Sequence, residues 1–148
     1  MSFVGHSSVS IDQKRRLAIP AKYREGLMRC CGNRLVCTIG KSSTFFFLRL
    51  FPRPEWDELE RNLNPQLIDS GEDDPVTRFL QAMAEDVYVD SNHRLLLPQH
   101  LVDRVGLQKR AVLTGRGSYF EIWTEEDWQA ELEVGLDLFS NRKREQND

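Results

Sequence analysis

Apolar and polar residues alternate in two short stretches near the start of the chain. Val9 and Ile11 are the apolar positions of the first stretch, and Leu17 and Ile19 are those of the second. A period of two residues is typical of a strand with one buried face. Asp12 follows the first stretch, where its carboxylate can accept backbone N–H groups and close a turn. The pattern therefore predicts two half-buried strands joined by a turn.

The same pattern occurs a second time in the chain. The segment from Val9 to Pro20 matches the segment from Val87 to Pro98 at an offset of 78 residues, with identical Asp, Arg, Leu and Pro. A further match joins the segments Leu50–Trp56 and Ile122–Trp128 at an offset of 72 residues. Two copies of one motif, each flanked by alternating apolar residues, indicate an internal repeat. The chain is therefore predicted to consist of two similar halves.

Each half is predicted to run strand, turn, strand, short helix, strand pair and longer helix. Pro20 and Pro98 suit the first position of the short helices, because the fixed φ of proline fits there and no donor is lost. Gly32 and Gly106 are placed to end those helices. The strand pairs are predicted at 34–39 with 44–51 and at 111–114 with 119–123, and the longer helices begin at Pro54 and after Thr124.

The repeat also predicts how the chain is divided. The predicted parts are a first unit at 3–63, a linker and connecting helix at 64–84, a second unit at 85–139 and a disordered tail at 140–148. A half of about 60 residues is marginal as a free domain. We therefore expect the halves to share one core about a pseudo-twofold axis, with the turns Asp12–Arg16 and Asp90–Arg94 side by side.

The net charge of −3 conceals a strong asymmetry along the 148 residues. Residues 1–53 contain ten Lys or Arg against two carboxylates, a net +8, whereas residues 54–148 have a net charge of −11. A basic first third favours an anionic partner on one face. The alternative is that the basic and acidic parts simply pack against each other.

Several classes of protein are not supported by the sequence. No apolar run approaches the roughly 20 residues of a membrane span, and no basic stretch followed by an apolar one marks a secretion signal. We therefore expect a cytoplasmic protein. The three cysteines and three histidines lack ligand spacing, so neither a metal nor another cofactor is expected. No nucleophile elbow or phosphate loop is present, which predicts a protein that is not an enzyme and has no small-molecule substrate.

The first turn is a candidate nucleic-acid contact. Lys14, Arg15 and Arg16 are consecutive, and a turn tip with three cations is a compact probe for phosphates. Arginine can also donate two hydrogen bonds to guanine O6 and N7. The alternative interpretation is that Arg16 pairs with Asp12 and only stabilises the turn.

The second turn is formally neutral. The charge of Asp90 balances that of Arg94. We therefore assign Asp90, like Asp12, a structural role in its turn. Asn92 and Arg94 remain candidates for contact with DNA, since both side chains can read base edges.

These segments together resemble the MraZ family, whose members carry two SpoVT-AbrB units in one chain. The resemblance extends from about Phe3 to Phe139 and rests most on the twin D-x-x-x-R turns. The further segments that carry it are Leu17–Arg24, Phe51–Trp56 and Phe120–Trp123.

The resemblance implies a fold, an assembly and a function. The implied fold is α+β and mainly β, with two AbrB-like swapped-hairpin β-barrel halves related by a pseudo-twofold and flanked by helices. The implied assembly is a ring-like homo-oligomer. The implied function is a nucleoid-associated transcriptional regulator that binds double-stranded DNA at promoter repeats of its own cell-division and cell-wall gene cluster.

The chain departs from the family pattern before each motif arginine. The family usually has glycine there, whereas this chain has Arg15 and His93. Glycine at that position indicates a positive φ, which arginine adopts less readily. Either the turn differs, or Arg15 accepts strain of about 1 kcal/mol in exchange for another phosphate contact.

Two other functions remain as alternatives. The protein could be an oligomeric scaffold whose basic turn binds acidic protein partners. It could also be an enzyme on a related double-psi barrel, although no acid–base pair or nucleophile is evident.

Overall fold

The computed structural model describes residues 2–70 and 74–147 and the side chains of 2–62 and 74–142. Eight strands and five helices lie in those residues. The strands are β1 His6–Ser10, β2 Arg16–Ala18, β3 Arg34–Lys41, β4 Phe46–Pro52, β5 Glu85–Tyr88, β6 Arg94–Leu96, β7 Arg110–Gly115 and β8 Phe120–Thr124. The helices are α1 Ala21–Cys31, α2 Arg53–Ser70, α3 Pro75–Met83, α4 Gln99–Val105 and α5 Glu125–Asn147. The predicted order of elements is confirmed in both halves, and α3 connects them.

The strands form one six-stranded sheet and one strand pair. The order of the large sheet is β1-β7-β8-β4-β3-β5, and β2 pairs with β6. All of these pairings are antiparallel, so the fold is α+β. When each strand is exchanged for its equivalent in the other repeat, the same strand order results, read from the opposite edge of the sheet. This symmetry indicates a pseudo-twofold arrangement.

The two halves exchange strands rather than fold separately. The strand β1 pairs with β7 of the other half, and β5 pairs with β3 of the other half. Among the described strands, β1 and β5 each keep one unpaired edge, so the sheet does not close into a barrel.

The halves share one core, as expected. Leu17 of β2 lies directly opposite Leu95 of β6, and both side chains have 0% exposure. The same cluster contains Val9 and Val87 from the first strands of the two halves and Phe120 from β8. Burial of one such leucine contributes roughly 1.5–3 kcal/mol, so removing either half would expose the core of the other.

The ends of the short helices lie close to the predicted positions. Gly32 and Gly106 end α1 and α4 in the left-handed conformation, with φ of 58° and 80°. Pro20 and Pro98 lie at the N-cap, one residue before the predicted position. At the start of α5, the backbone N–H of Asp127 donates to the hydroxyl of Thr124 at 3.1 Å.

Two helices extend further along the chain than the sequence predicts. Helix α2 continues through Pro65 to Ser70, so the linker predicted at 64–84 begins within this helix. Helix α5 continues to Asn147, so residues 140–147 are not a disordered tail. Adding a residue to an existing helix is far easier than starting one, and the Arg, Lys, Glu and Gln residues after position 141 are good helix formers. With α2 and α5 extended in this way, the five helices contain more residues than the eight strands.

None of the helices in the described part of the chain is both long and apolar enough to cross a membrane.

Candidate nucleic-acid interface

The first turn is held by the side chain of Asp12. Its Oδ1 accepts hydrogen bonds from the backbone N–H groups of Lys14 and Arg16, both at 2.9 Å. The backbone N–H of Arg15 donates to the carbonyl of Asp12 at 3.0 Å. These bonds satisfy three donors in five residues, and they fix the direction in which the side chains of the tip leave the backbone.

The second turn repeats this geometry. The Oδ1 atom of Asp90 accepts from the backbone N–H groups of Asn92 at 2.8 Å and Arg94 at 2.9 Å. The backbone N–H of His93 donates to the carbonyl of Asp90 at 2.9 Å. Each aspartate therefore organises its own turn in the same way.

The residue before each motif arginine has a positive φ. The φ angle is 64° at Arg15 and 60° at His93. The turn therefore keeps the left-handed conformation, and Arg15 adopts it at a cost of about 1–2 kcal/mol. A hydrogen bond from Nε of Arg15 to the carbonyl of Leu97, at 3.2 Å, offsets part of that cost.

The two turns lie side by side, as the repeat predicts. The backbone N–H of Ile19 donates to the carbonyl of His93 at 2.9 Å, and the N–H of Leu97 donates to the carbonyl of Arg15 at 2.9 Å. These two bonds are equivalents of each other in the repeat. The tip of each turn is thus attached to the strand that follows the other turn, and the two tips form one rigid surface.

The arginines of both turns meet at one carboxylate. Nε of Arg16 lies 2.8 Å from Oδ2 of Asp12, and Nη1 of Arg94 lies 3.5 Å from the same oxygen. The Nε atom of Arg94 is buried and has no hydrogen-bond partner among the described residues. Arg16 therefore does pair with Asp12, and the pairing leaves the terminal nitrogens of its guanidinium for another acceptor.

The hydrogen bonds of the turns change the acidity of both aspartates. The backbone N–H of Arg16 is the main cause that lowers the pKa of Asp12, and the side chain of Arg16 and the N–H of Lys14 lower it further. The backbone N–H of Arg94 is the main cause that lowers the pKa of Asp90. Both carboxylates are ionised at neutral pH, so each balances one nearby cation.

The side chains differ in how far they reach the solvent. Lys14 and Asn92 are exposed, whereas Arg15 is half-buried. Arg16 and Arg94 are also half-buried, with side-chain exposures of 32% and 33%. The first turn therefore presents a free ammonium group beside two arginines whose planar faces are already oriented.

The motif reasoning overlooked His93 as a surface residue of the site. Its side chain is exposed at the tip of the second turn, and its carbonyl accepts the bond from Ile19. The signal was available in the sequence, since His93 is the repeat equivalent of Arg15.

Chemistry outside the turns is limited in the described residues. No group of three or more His, Cys, Asp or Glu side chains there could hold a metal ion. Burial raises the pKa of Cys37 to about 12 and that of Cys30 to about 11. Both thiols are protonated at neutral pH, so neither is a ready nucleophile.

Comparison with known proteins assigns the chain to a family. The model of the family described as "MraZ protein, putative antitoxin-like" matches residues 2–78 and 80–147. The chain belongs to the MraZ family. The resemblance found in the twin turns is thereby confirmed over nearly the whole chain.

Relatives within the MraZ family are similar over most of their length. The protein named "Transcriptional regulator MraZ" from Nitrosospira multiformis is 37% identical over 134 residues, covering 90% of this chain and 89% of the relative. The protein of that name from Nitrosomonas europaea is 38% identical over 132 residues, covering 89% and 87%. The one from Shewanella amazonensis is 33% identical over 146 residues, covering 99% and 95%.

Proposed function

We propose that this member of the MraZ family is a sequence-specific, double-stranded DNA-binding transcriptional regulator without catalytic activity. The observation that carries the proposal is the pair of mutually bonded turns, which places Lys14, Arg15 and Arg16 beside Asn92 and Arg94. The major groove of DNA admits a two-stranded β-ribbon, and the cations of the turn pair match the flanking phosphates. The names of the relatives support transcription regulation.

The side chains of the two turns make different proposed contacts with DNA. Lys14 is exposed and acts as a point charge for a phosphate. Arg16 uses Nε for Asp12, so its terminal nitrogens bind guanine O6 and N7 or a phosphate. Asn92 can bind adenine N6 and N7 from the second turn. Arg15 and Arg94 add positive charge at the edges of the contact.

The proposed assembly is a ring of several copies, each with two swapped-hairpin SpoVT-AbrB units at 3–63 and 85–139. The exchange of β1 and β5 between the halves supports this description of the units. Val134 and Leu138 support assembly, because they lie one turn apart on α5, are 44% and 54% exposed, and contiguous exposed apolar patches mark interaction sites. A ring would engage several spaced repeats at once and gain avidity.

The proposed targets are promoter repeats of the protein's own cell-division and cell-wall gene cluster, bound at the nucleoid in the cytoplasm. This part of the proposal rests on membership of the MraZ family. The geometry of the turns supports contact with DNA.

Selection of bound fragments from sheared genomic DNA by the purified protein tests the proposal. We expect enrichment of fragments with regularly spaced repeats, the cluster's own promoter among them. With about 6–10 phosphate contacts, the affinity should fall roughly 10³- to 10⁵-fold between 50 and 200 mM salt. No enrichment, together with tight binding of polyglutamate, would instead support a scaffold for acidic proteins.

A further inference from the structure

Two neighbouring cysteines lie in the last turn of helix α1. Cys30 and Cys31 are the final residues of the helix, and Gly32 ends it in the left-handed conformation. Both thiols are free, and both residues are half-buried rather than enclosed. Their side chains pack against the shared core, whereas the adjacent Arg29 forms an exposed ion pair with Glu25. The end of α1 therefore presents two thiols at the boundary between the core and the solvent.

The two thiols converge on one carbonyl group. Sγ of Cys31 lies 3.1 Å from the carbonyl oxygen of Leu27, and Sγ of Cys30 lies 3.8 Å from the same oxygen. The backbone N–H of Asn33 also donates to this oxygen, at 3.3 Å. A carbonyl oxygen has two lone pairs, so it cannot satisfy three donors well. Both thiols are therefore held weakly, and they can leave this acceptor for a ligand.

The two thiols also interact with each other. Burial is the main cause that raises the pKa of Cys30 to about 11, and the charge of Cys31 and a hydrogen bond between the two side chains raise it further. A hydrogen bond between the thiols requires that the two sulfur atoms lie close together. The pair is therefore arranged as one dithiol rather than as two independent cysteines.

Neighbouring cysteines are poorly placed to form a disulfide with each other. Consecutive Cα atoms are about 3.8 Å apart, whereas the Cα atoms of ordinary disulfides are about 4.4–6.8 Å apart. A disulfide between Cys30 and Cys31 would also distort the last turn of α1. The pair should therefore persist as two thiols that a ligand can bridge.

The third cysteine of the chain does not join the pair. Cys37 lies in β3, has 0% exposure, and belongs to the interior of the core. In the described part of the chain, no cluster of three or more His, Cys, Asp or Glu residues is placed to hold a metal. A ligand of the pair must therefore be satisfied by two sulfur atoms from the protein.

Two thiols at this spacing fit a trivalent arsenic atom. Sulfur ligands select soft centres, and arsenic(III) forms three bonds in a pyramid, which brings two sulfur ligands close together. A two-coordinate ion such as Hg²⁺ holds its sulfur ligands on opposite sides, and Zn²⁺ in proteins takes four ligands. The geometry of the pair therefore favours arsenic(III) over these ions.

We propose that Cys30 and Cys31 form a binding site for trivalent arsenic compounds. With an arylarsonous acid, R–As(OH)₂, two As–S bonds form and two As–O bonds break. Each thiol proton leaves with one hydroxyl group as water, so two molecules of water are released. Arsenic stays trivalent, and no oxidant or reductant is needed. The proposal does not depend on DNA binding, because neither cysteine belongs to the turns.

Titration of the reduced full-length protein with phenylarsine oxide tests the site, because this probe hydrates to phenylarsonous acid in water. We expect native mass spectrometry to show one phenylarsine unit per chain. An excess of the monothiol glutathione should leave the adduct in place, whereas the dithiol 2,3-dimercaptopropanol should remove it. The absence of an adduct would overturn the proposal. So would an adduct that the monothiol removes as readily as the dithiol does.

Substitutions of the cysteines locate the bound arsenic. Cys30→Ser and Cys31→Ser each leave one sulfur atom, and the affinity should fall at least about 100-fold because the second As–S bond forms at a high effective concentration. Cys37→Ala keeps the pair and should bind as the wild type does. If either serine variant keeps the wild-type affinity, or if Cys37→Ala loses it, the pair is not the site. The comparison of monothiol with dithiol on the wild type remains decisive if a variant fails to fold.

Discussion

Arg94 of the second repeat reaches across the pseudo-twofold axis to Asp12 of the first, with 3.5 Å between Nη1 and Oδ2. Arg16 binds the same oxygen from within the first turn. One carboxylate therefore organises cations from both repeats, and the two turns are fixed relative to each other by side chains as well as by backbone bonds. A surface fixed in this way presents its cations in one geometry, as the proposed sequence-specific DNA contact requires.

The pH dependence of stability should change when the charge of Asp12 is removed. The pKa of Asp12 is lowered in the folded protein, chiefly by the backbone N–H of Arg16. The stabilisation is therefore fully present above the ordinary aspartate pKa of about 3.9 and is lost as the pH falls through the lowered folded value. Asp12→Asn keeps an oxygen acceptor without the charge, so its melting temperature should fall less steeply between pH 5 and pH 2.

Asp90→Asn provides the comparison for this experiment. The pKa of Asp90 is also lowered, but the arginines of both turns lie at Asp12. Thermal unfolding across the pH series should therefore show the larger flattening for Asp12→Asn. Profiles parallel to that of the wild type in both variants would contradict this description of the turns.

Glycine at the left-handed positions should stabilise the protein. His93 has a φ of 60°, and relieving the strain by His93→Gly should raise the free energy of unfolding by about 0.5–1 kcal/mol. Arg15→Gly relieves the same strain but loses the bond to the carbonyl of Leu97, so its gain should be smaller. Urea unfolding measures both values; a loss of stability in His93→Gly would show that its backbone is not strained.

The shared core predicts coupling between the halves. Leu17 and Leu95 are fully buried and directly opposed, so Leu17→Ala and Leu95→Ala should each cost about 2–5 kcal/mol. Because the two truncations would open into one shared cavity, the double variant should lose less stability than the sum of the two single losses, by about 0.5–3 kcal/mol. At fixed protein concentration, urea unfolding should also show one transition; two transitions or strict additivity would indicate separate cores.

Much of the fold could be predicted because the sequence repeat and the alternation of apolar residues both follow from the local requirements of strands and helix ends. Alternation around Leu17 and Leu95 predicts strands, and the glycines at positions 32 and 106 predict helix ends that the structure contains. The lengths of α2 and α5 could not be predicted in this way. Pro65 and the polar residues after 140 are usual signs of a helix end, but an established helix continues through them.

The side-chain pattern of the site was less accessible to sequence reasoning. The repeat pairs each aspartate with the arginine four residues later, and it gives no sign that Arg94 crosses to Asp12. That contact depends on the distance between the two turns, which is set by the pairing of β2 with β6. Likewise, the positive φ of Arg15 follows from the bonds of the turn rather than from the preference of arginine.

The proposed DNA contact requires a control for the structural role of Arg16. Because Arg16 also binds Asp12, loss of DNA binding in Arg16→Ala is informative only if the fold and the oligomeric state are kept. A surface Asp–Arg pair contributes about 0–1 kcal/mol, so light scattering and thermal unfolding should show both unchanged. Arg61→Ala, in an exposed ion pair on α2, removes one arginine away from the turns and should bind DNA as the wild type does.

The most direct test is the dissociation constant of a repeat-containing promoter duplex, measured by fluorescence anisotropy for the wild type, Arg16→Ala and Arg94→Ala. The first turn has a net charge of +2 and the second has none, so Arg16→Ala should lose far more affinity. We expect a cost of about 1–3 kcal/mol per engaged turn, which is a 5- to 150-fold increase in the dissociation constant. If Arg16→Ala binds the duplex as tightly as the wild type does, the turn is not the DNA-binding site and the account is wrong.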